Sequence, residues 1–194
     1  MRRETAGVGP SVLGVVGSPR IGGNTDLLVD EVLAGARAEG GLTVKVHLGE
    51  VEISSCRGCE ACATTKECVI QDDMFPILAQ MDTADIWVLG TPIYFWGPSG
   101  WFKCFVDRWH GGKYMVDFKK KRAALVIPFE STERATSRFT TGMLQETLEY
   151  LGVTVTEIVL AAGVLAPGDV KNRPDVMSRA YRAGRKAVRT WAPL

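Results

Sequence analysis

The sequence predicts an α/β protein with a doubly wound parallel β-sheet that helices cover on both faces. Two observations lead to this prediction. Five strand-like segments alternate along the chain with helix-like segments, an order typical of parallel sheets. The chain of 194 residues is 46% hydrophobic and 23% charged, which fits one folded domain, residues 1–194, and excludes disordered, collagen-like and disulfide-scaffold proteins.

The apolar patterns of the five segments separate central strands from edge strands. Residues 12–16, 86–89 and 123–127 are apolar on both sides of their alternation, as strands covered on both faces are. Residues 42–48 and 153–156 alternate apolar with polar side chains, which is typical of strands exposed along one face. Strands two and five are therefore the predicted edges. These assignments give the flavodoxin-like strand order 2-1-3-4-5. Proteins with this order bind ligands beyond the carboxyl ends of strands one and three.

Helices are predicted between and after these strands, because apolar residues recur there at helical spacing. The predicted helices span residues 24–39, 72–81, 99–109, 136–151 and 175–191.

The charge balance limits the classes of partner. Twenty-three basic and 22 acidic side chains give a formal net charge of +1, so the chain lacks the positive excess of a dedicated nucleic-acid binder. The longest apolar stretches are interrupted before the roughly 20 residues that a membrane span needs. Arg2 and Arg3 are followed by an apolar run too short for a signal peptide. We expect a cytoplasmic protein that binds small molecules.

A glycine-rich loop follows the first strand, where residues 17–25 read GSPRIGGNT. Its glycines permit close backbone approach, and the helix that follows offers free N–H groups to an anion. Ser18, Arg20, Asn24 and Thr25 add polar donors, so we expect a phosphate there. The alternative is a turn with Asn24 as helix N-cap, but a cap needs one such residue. The loop matches neither the dinucleotide fingerprint nor the P-loop.

An aromatic loop follows the third strand, where residues 90–98 read GTPIYFWGP. Three consecutive rings and free backbone N–H groups suit a flat ring such as an isoalloxazine, which needs a stacking surface and stabilisation of negative charge. The predicted contacts are Pro92, Ile93, Tyr94, Phe95 and Trp96. The alternative is a buried aromatic cluster that packs the next helix.

Four cysteines crowd into the segment 52–70. Cys56, Cys59, Cys62 and Cys68 have the spacing C-x2-C-x2-C-x5-C, which suits a cubane iron-sulfur cluster better than the separated pairs of structural zinc sites. Zinc, and vestigial or redox-active thiols, remain alternatives. The fifth cysteine, Cys104, is expected to be a packed thiol.

The two loops and the cysteine segment together resemble the iron-sulfur flavoproteins within the flavodoxin-like NADPH-dependent FMN reductase superfamily, over about residues 11–165. The resemblance implies that the polar residues of the first loop hold the FMN phosphate and that residues 92–96 flank the flavin. It also implies that the four cysteines bind one [4Fe-4S] cluster. Residues 128–131, after strand four, occupy the position where the superfamily closes over the ring.

The resemblance implies an FMN- and [4Fe-4S]-dependent oxidoreductase that couples two-electron flavin chemistry to one-electron transfer. Its electron donor would be NAD(P)H or ferredoxin, and it would form a homodimer or homotetramer. One branch of the family dehydrogenates 2-amino-4-deoxychorismate to 3-enolpyruvoylanthranilate in enediyne antibiotic biosynthesis, a reaction in which Arg108, Lys113 or Arg134 would pair substrate carboxylates.

Three alternatives stay open. The chain is either an NAD(P)H-dependent FMN or quinone reductase without a cluster, a flavodoxin-like electron carrier, or a zinc-bearing regulatory domain. The neutral charge argues against a carrier, since such proteins are acidic. We identify no catalytic dyad or triad. His110 is expected to be either a proton donor near the flavin or a plain helix-end histidine.

Overall fold

The computed structural model describes residues 9–192, so Arg2 and Arg3 lie outside the described residues. The strands are β1 (Ser11–Val16), β2 (Leu42–His47), β3 (Ile86–Gly90), β4 (Ile93–Tyr94), β5 (Gly97–Pro98), β6 (Arg122–Phe129) and β7 (Thr154–Ala162). The helices are α1 (Asn24–Ala38), α2 (Ala61–Thr65), α3 (Met74–Thr83), α4 (Gly100–Asp107), α5 (Trp109–Gly112), α6 (Arg138–Tyr150) and α7 (Pro174–Arg189).

Five strands form one parallel sheet in the order β2-β1-β3-β6-β7. This confirms the predicted flavodoxin-like order, with the two alternating strands at the edges. The last strand is longer than predicted, because its pairing with β6 continues to the register Phe129↔Ala162. The remaining two strands, β4 and β5, form a separate antiparallel hairpin inside the aromatic loop.

Alternating side chains of the central strands feed two cores, one on each face of the sheet. In β1, Leu13 and Val15 pack with α3, α4, α5 and α6, whereas Val12 and Val16 pack with α1 and α7. Helices α1 and α7 approach closely at Gly35 and Gly184: a Cβ atom at either glycine would collide with a backbone carbonyl of the other helix. The two helices therefore form one rigid layer.

The carboxyl ends of β1, β3, β6 and β7 lie along one edge of the sheet, because these strands are parallel. The loops after β1 and β3 meet directly there, since Gly17 N donates to Gly90 O at 2.7 Å. No helix among residues 9–192 combines the length and hydropathy that a membrane crossing requires.

Candidate functional site

A cavity of about 400 Å³ opens at this edge of the sheet, between the glycine-rich loop and the aromatic loop. All nine residues predicted to contact a phosphate or a ring line it: Ser18, Arg20, Asn24, Thr25, Pro92, Ile93, Tyr94, Phe95 and Trp96. The structure thus brings together two loops separated by nearly 70 residues of sequence. We call this space the ring cavity.

Further lining comes from β6 and from two segments beyond it. Pro128, Phe129, Glu130 and Ser131 lie in the position expected for a closing loop, although the first two still belong to β6. Thr136, Val164 and Leu165 also line the ring cavity. Sequence reasoning missed these three, because no motif marks them.

The glycine-rich loop is shaped by hydrogen bonds within its own turn. Gly22 has a φ of 68°, which favours glycine, and its N–H donates to Asp26 Oδ2 at 2.8 Å. Ser18 Oγ accepts from Arg20 N at 3.1 Å. Burial of the Asp26 carboxyl favours its neutral form, but hydrogen bonds from Lys45 and Gly22 outweigh burial and lower the pKa of Asp26. The loop is therefore held by an ionised carboxylate behind it.

Arg20 and Asn24 reach across to the segment after β7. Arg20 Nη1 donates to Leu165 O at 2.9 Å, and Asn24 Nδ2 donates to Ala166 O at 2.9 Å. Asn24 Oδ1 accepts from Val170 N at 3.1 Å. The N-cap of α1 is Gly23 and has no side-chain cap bond, so the alternative in which Asn24 caps the helix is wrong. Asn24 instead anchors one wall of the ring cavity.

The amino end of α1 supplies the donors that an anion needs. The first N–H groups of a helix have no intrahelical acceptor, and the helix dipole favours negative charge beside them. Thr25 lies in this first turn, and Arg20 lines the same cavity. This end of the ring cavity is suited to a phosphate.

The aromatic loop carries backbone strain at its tip. Phe95 and Trp96 have φ values of 47° and 65°, a left-handed conformation that a two-residue hairpin turn requires and that Asn-Gly usually supplies. Each such non-glycine residue costs about 1–3 kcal/mol. Thr140 Oγ1 holds the tip by donating to Trp96 O at 2.8 Å. Phe95 is 94% exposed, so the strain keeps an apolar ring in solvent.

Ser99 ties the aromatic loop to the glycine-rich loop. Its Oγ donates to Gly17 O and accepts from Phe102 N at 3.1 Å, which makes Ser99 the N-cap of α4. This confirms the prediction that a helix begins at Ser99. That helix ends at Asp107, and α5 forms a separate turn, whereas one helix was predicted over 99–109.

The four cysteines line a second, smaller cavity of about 20 Å³, together with Glu60, Arg108 and His110. We call it the cysteine cavity; it shares no lining residue with the ring cavity. Cys62 is buried, Cys56 and Cys68 are half-buried, and Cys59 is exposed. Left-handed residues at Gly58, Glu60 and Lys66 turn the chain around this cavity.

The donor chemistry of the cysteine cavity fits an iron-sulfur cluster, but its present size does not. Four thiols around one space are the donors that such a cluster takes. A volume near 20 Å³ holds about one water molecule, so a cluster would enter only with outward movement of the cysteine side chains. Within the described residues, no three His, Cys, Asp or Glu side chains are grouped so as to hold a metal ion.

Arg108 connects the cysteine segment to the core. Its side chain is 2% exposed, and Nη1 contacts Asp72 Oδ2 at 2.5 Å and Ser54 O at 3.0 Å. Nη2 donates to Ile70 O at 3.3 Å and to Cys68 Sγ at 3.5 Å. Arg108 therefore binds the chain both before the first and after the last of the four cysteines. The expectation that Arg108 pairs substrate carboxylates is wrong, because the guanidinium is buried and already bonded.

His110 and Cys104 both lie close to the cysteine segment. His110 belongs to the short helix α5, as the helix-end alternative predicts, and its Nε2 lies 3.0 Å from Glu60 Oε1. It lines the cysteine cavity and not the ring cavity, so the alternative of a proton donor near a ring is wrong. Cys104 Sγ lies 3.3 Å from Ser55 Oγ and is half-buried. The fifth cysteine is thus next to the cysteine segment in space, although distant in sequence.

Comparison with known proteins relates this arrangement to a family. The family model of NADPH-dependent FMN reductases matches residues 10–163. An iron-sulfur flavoprotein of Methanocaldococcus jannaschii is 43% identical over 97 residues, covering 50% of each chain, so the chain spans about half the length of this relative. An iron-sulfur flavoprotein of Archaeoglobus fulgidus is 27% identical over 158 residues, which cover 81% of this chain and 70% of that protein.

Among solved structures, the NAD(P)H:quinone oxidoreductase from Methanothermobacter marburgensis superposes with a TM-score of 0.71. The match covers 95% of this chain and 98% of that chain at 20% identity, which shows a shared fold. The family model spans both loops of the ring cavity and the cysteine segment, and thus the larger part of the chain. The protein belongs to the NADPH-dependent FMN reductase family.

Proposed function

We propose that this protein is an FMN- and [4Fe-4S]-dependent oxidoreductase of the iron-sulfur flavoprotein type. The ring cavity carries the proposal, because it joins an anion-binding helix end to an aromatic wall in one space of about 400 Å³. That volume lies in the usual range of small-molecule pockets, about 300–1,000 Å³.

FMN fits the ring cavity in chemistry. Arg20, the hydroxyl of Thr25 and the first N–H groups of α1 would hold its phosphate, with Ser18 and Asn24 completing the loop. Residues 92–96 would flank its ring. The FMN reductase family of the chain supports this assignment.

When bound, FMN supplies both hydride acceptance and single-electron release. The chain supplies the setting for that chemistry. Arg20 would offset the phosphate charge and orient the ligand, and the β4–β5 hairpin would cover one face of the ring. Backbone N–H groups of the aromatic loop would stabilise negative charge on the ring.

The cysteines Cys56, Cys59, Cys62 and Cys68 would hold the [4Fe-4S] cluster, which supplies one-electron transfer. Their common cavity supports this, as do the names of the Methanocaldococcus and Archaeoglobus relatives. Arg108 would stabilise the Cys68 thiolate through its N–H···S contact. Cysteines in a C-x2-C-x2-C run are typical of a reducing compartment, which supports a cytoplasmic location.

We further propose NAD(P)H as the electron donor and ferredoxin as a one-electron partner. Dehydrogenation of 2-amino-4-deoxychorismate is the candidate specialised reaction, since it needs only a flavin face and yields an aromatic product. Assembly as a homodimer or homotetramer would cover the exposed Phe95.

A second candidate is an NAD(P)H-dependent FMN or quinone reductase without a cluster. The NADPH-dependent FMN reductase family of the chain supports it. A turnover assay tests enzymatic function in both cases: the FMN-loaded protein should oxidise NAD(P)H when a quinone is present. An electron carrier would not turn over without a partner enzyme, and that result would contradict the proposal.

A further inference from the structure

A third cavity, of about 410 Å³, lies beside the ring cavity at the edge strand β7. Three arginines line it, Arg134, Arg173 and Arg179, with Asp175 as the single acidic residue. We call it the arginine cavity. Such a local excess of positive charge is unexpected in a chain whose formal net charge is only +1.

Two of the three arginines, Arg134 and Arg179, keep donors free for a ligand. The Arg134 side chain makes no hydrogen bond or ion pair with the described residues. Arg179 donates once, from Nη2 to Ile158 O at 3.5 Å. Since a guanidinium carries five N–H groups, both side chains can still bind an oxyanion through paired bonds.

Arg173 lines the arginine cavity and is held in place by its own hydrogen bonds. Its Nη1 donates to Ala162 O at 2.8 Å, and its Nε contacts Asp175 Oδ1 at 3.3 Å. The buried side chain of Val176 and the partly buried Leu160 supply apolar lining beneath the charges. Asp175 also accepts from Arg173 Nη2 at 3.4 Å and so offsets the charge of Arg173. The positive charge that an anion would meet therefore comes from Arg134 and Arg179.

Only a thin wall separates the arginine cavity from the ring cavity. Ser131 and Val164 line the ring cavity, whereas their chain neighbours Thr132 and Gly163 line the arginine cavity. The two wall segments are joined by Gly163 N, which donates to Ser131 O at 3.0 Å. The arginine cavity therefore adjoins the ring cavity along this pair of segments.

We propose that the arginine cavity binds the compact oxyanion of the molecule that reacts at the flavin. This inference rests on the proposed function for the identity of the reacting cavity. Two sources carry such a group: the 2′-phosphate of NADPH and the carboxylates of an acidic substrate. Either is bound by the same guanidinium donors.

Direct binding to the FMN-loaded protein tests the cavity without turnover. Calorimetry would use adenosine 2′,5′-bisphosphate as the phosphate probe and benzene-1,3-dicarboxylate as the carboxylate probe. The test variant is R134M/R179M, which removes the two cations with free donors. The control is R182M, because Arg182 is an exposed arginine of α7 that does not line the cavity.

The expected result is that at least one probe binds the wild-type protein and binds R134M/R179M at least about tenfold more weakly, with R182M unchanged. A phosphate source also predicts a KM for NADPH raised by about the same factor, with the KM for NADH unaffected. A carboxylate source predicts binding of the dicarboxylate alone.

Absence of binding by both probes, or equal binding by R134M/R179M, would overturn the proposal. Failure of the proposed function is a separate observation: the wild-type protein would lack FMN or would not oxidise NAD(P)H. In that case, probe binding by the wild-type protein and by R134M/R179M still tests whether the arginine cavity binds an oxyanion.

Discussion

Arg108 and Asp72 form a buried ion pair, with Nη1 and Oδ2 2.5 Å apart and both side chains no more than 9% exposed. The pair joins α4 and α5, which pack on the sheet, to the chain that leaves the cysteine segment. The same guanidinium reaches Ser54, Ile70 and Cys68, so one residue contacts the segment on both sides of its cysteines. The arrangement of the cysteine cavity therefore depends on the buried Arg108–Asp72 ion pair.

Replacing Arg108 by Met should lower the free energy of unfolding by about 3–5 kcal/mol, because the Asp72 carboxylate would stay buried without its partner. Urea denaturation of the metal-free protein measures this. The control is K103M, since the Lys103–Asp107 pair is exposed by 48% and 44% and should change stability by less than about 1 kcal/mol. Equal effects of R108M and K103M would contradict the account.

The pH dependence of stability should contain a contribution from Asp72. Burial favours the neutral carboxyl, but hydrogen bonds from Arg108, Ser54 N and Met74 N outweigh it and lower the pKa of Asp72. A lowered pKa in the folded state adds stability above the unfolded-state pKa, about 3.9, which is lost as the pH falls through the folded-state pKa.

The comparison of wild type with D72N isolates this contribution. Their free energies of unfolding should differ most near pH 6. They should converge as the pH falls from about 3.9 through the lowered folded-state pKa of Asp72, because protonated Asp and Asn are both neutral below that pKa. Urea denaturation at several pH values measures the difference. A gap independent of pH would show that Asp72 acts through its shape and not through its charge.

Arg20→Met should weaken FMN binding by about tenfold to a hundredfold, since one charge-assisted hydrogen bond contributes about 1.5–3 kcal/mol. Fluorescence titration of the flavin measures the affinity. Riboflavin, which lacks the phosphate, serves as the matched ligand, and its affinity should not change. A parallel loss of riboflavin binding would show that Arg20 acts by holding Leu165 through their hydrogen bond.

Phe95→Gly should raise the free energy of unfolding by up to about 1 kcal/mol, because glycine adopts the φ of 47° without strain. Flavin affinity should fall, since the ring lines the cavity. The control is Y150G: Tyr150 is 87% exposed and is the last residue of α6, so glycine there should not raise stability and should cost less than about 1 kcal/mol. Thermal denaturation and flavin titration measure both effects.

Periodicity was sufficient to predict the sheet. The central strands β1 and β3 have both faces buried, as their apolar runs predict. β2 lies at the edge, as its alternation predicts, but burial does not follow that alternation: Leu42 and Val44 are more than half exposed, and His47 is buried. The hairpin of β4 and β5 was not predictable in this way. Its strands have two residues each, and its turn places Phe and Trp where Asn-Gly is usual.

Site residues that belong to a recognisable sequence motif could be predicted. Site residues whose position depends on tertiary packing could not. The nine residues of the two loops lie together because a switch point brings the loops together. Nothing in the sequence indicates that Asn24 bonds to Ala166 and Val170, or that Arg108 is buried. Those facts depend on contacts between residues far apart along the chain, which charge and spacing alone do not reveal.

We propose that one chain holds a flavin and an iron-sulfur cluster in two separate cavities. The most direct test is to purify the wild-type protein, C59S and C104S without oxygen and to quantify flavin, iron and sulfide. The wild type and C104S should contain FMN with about four irons and four sulfides, and C59S should keep FMN but lose iron. FMN without iron in the wild type, or joint loss of FMN and iron in C59S, would contradict the claim.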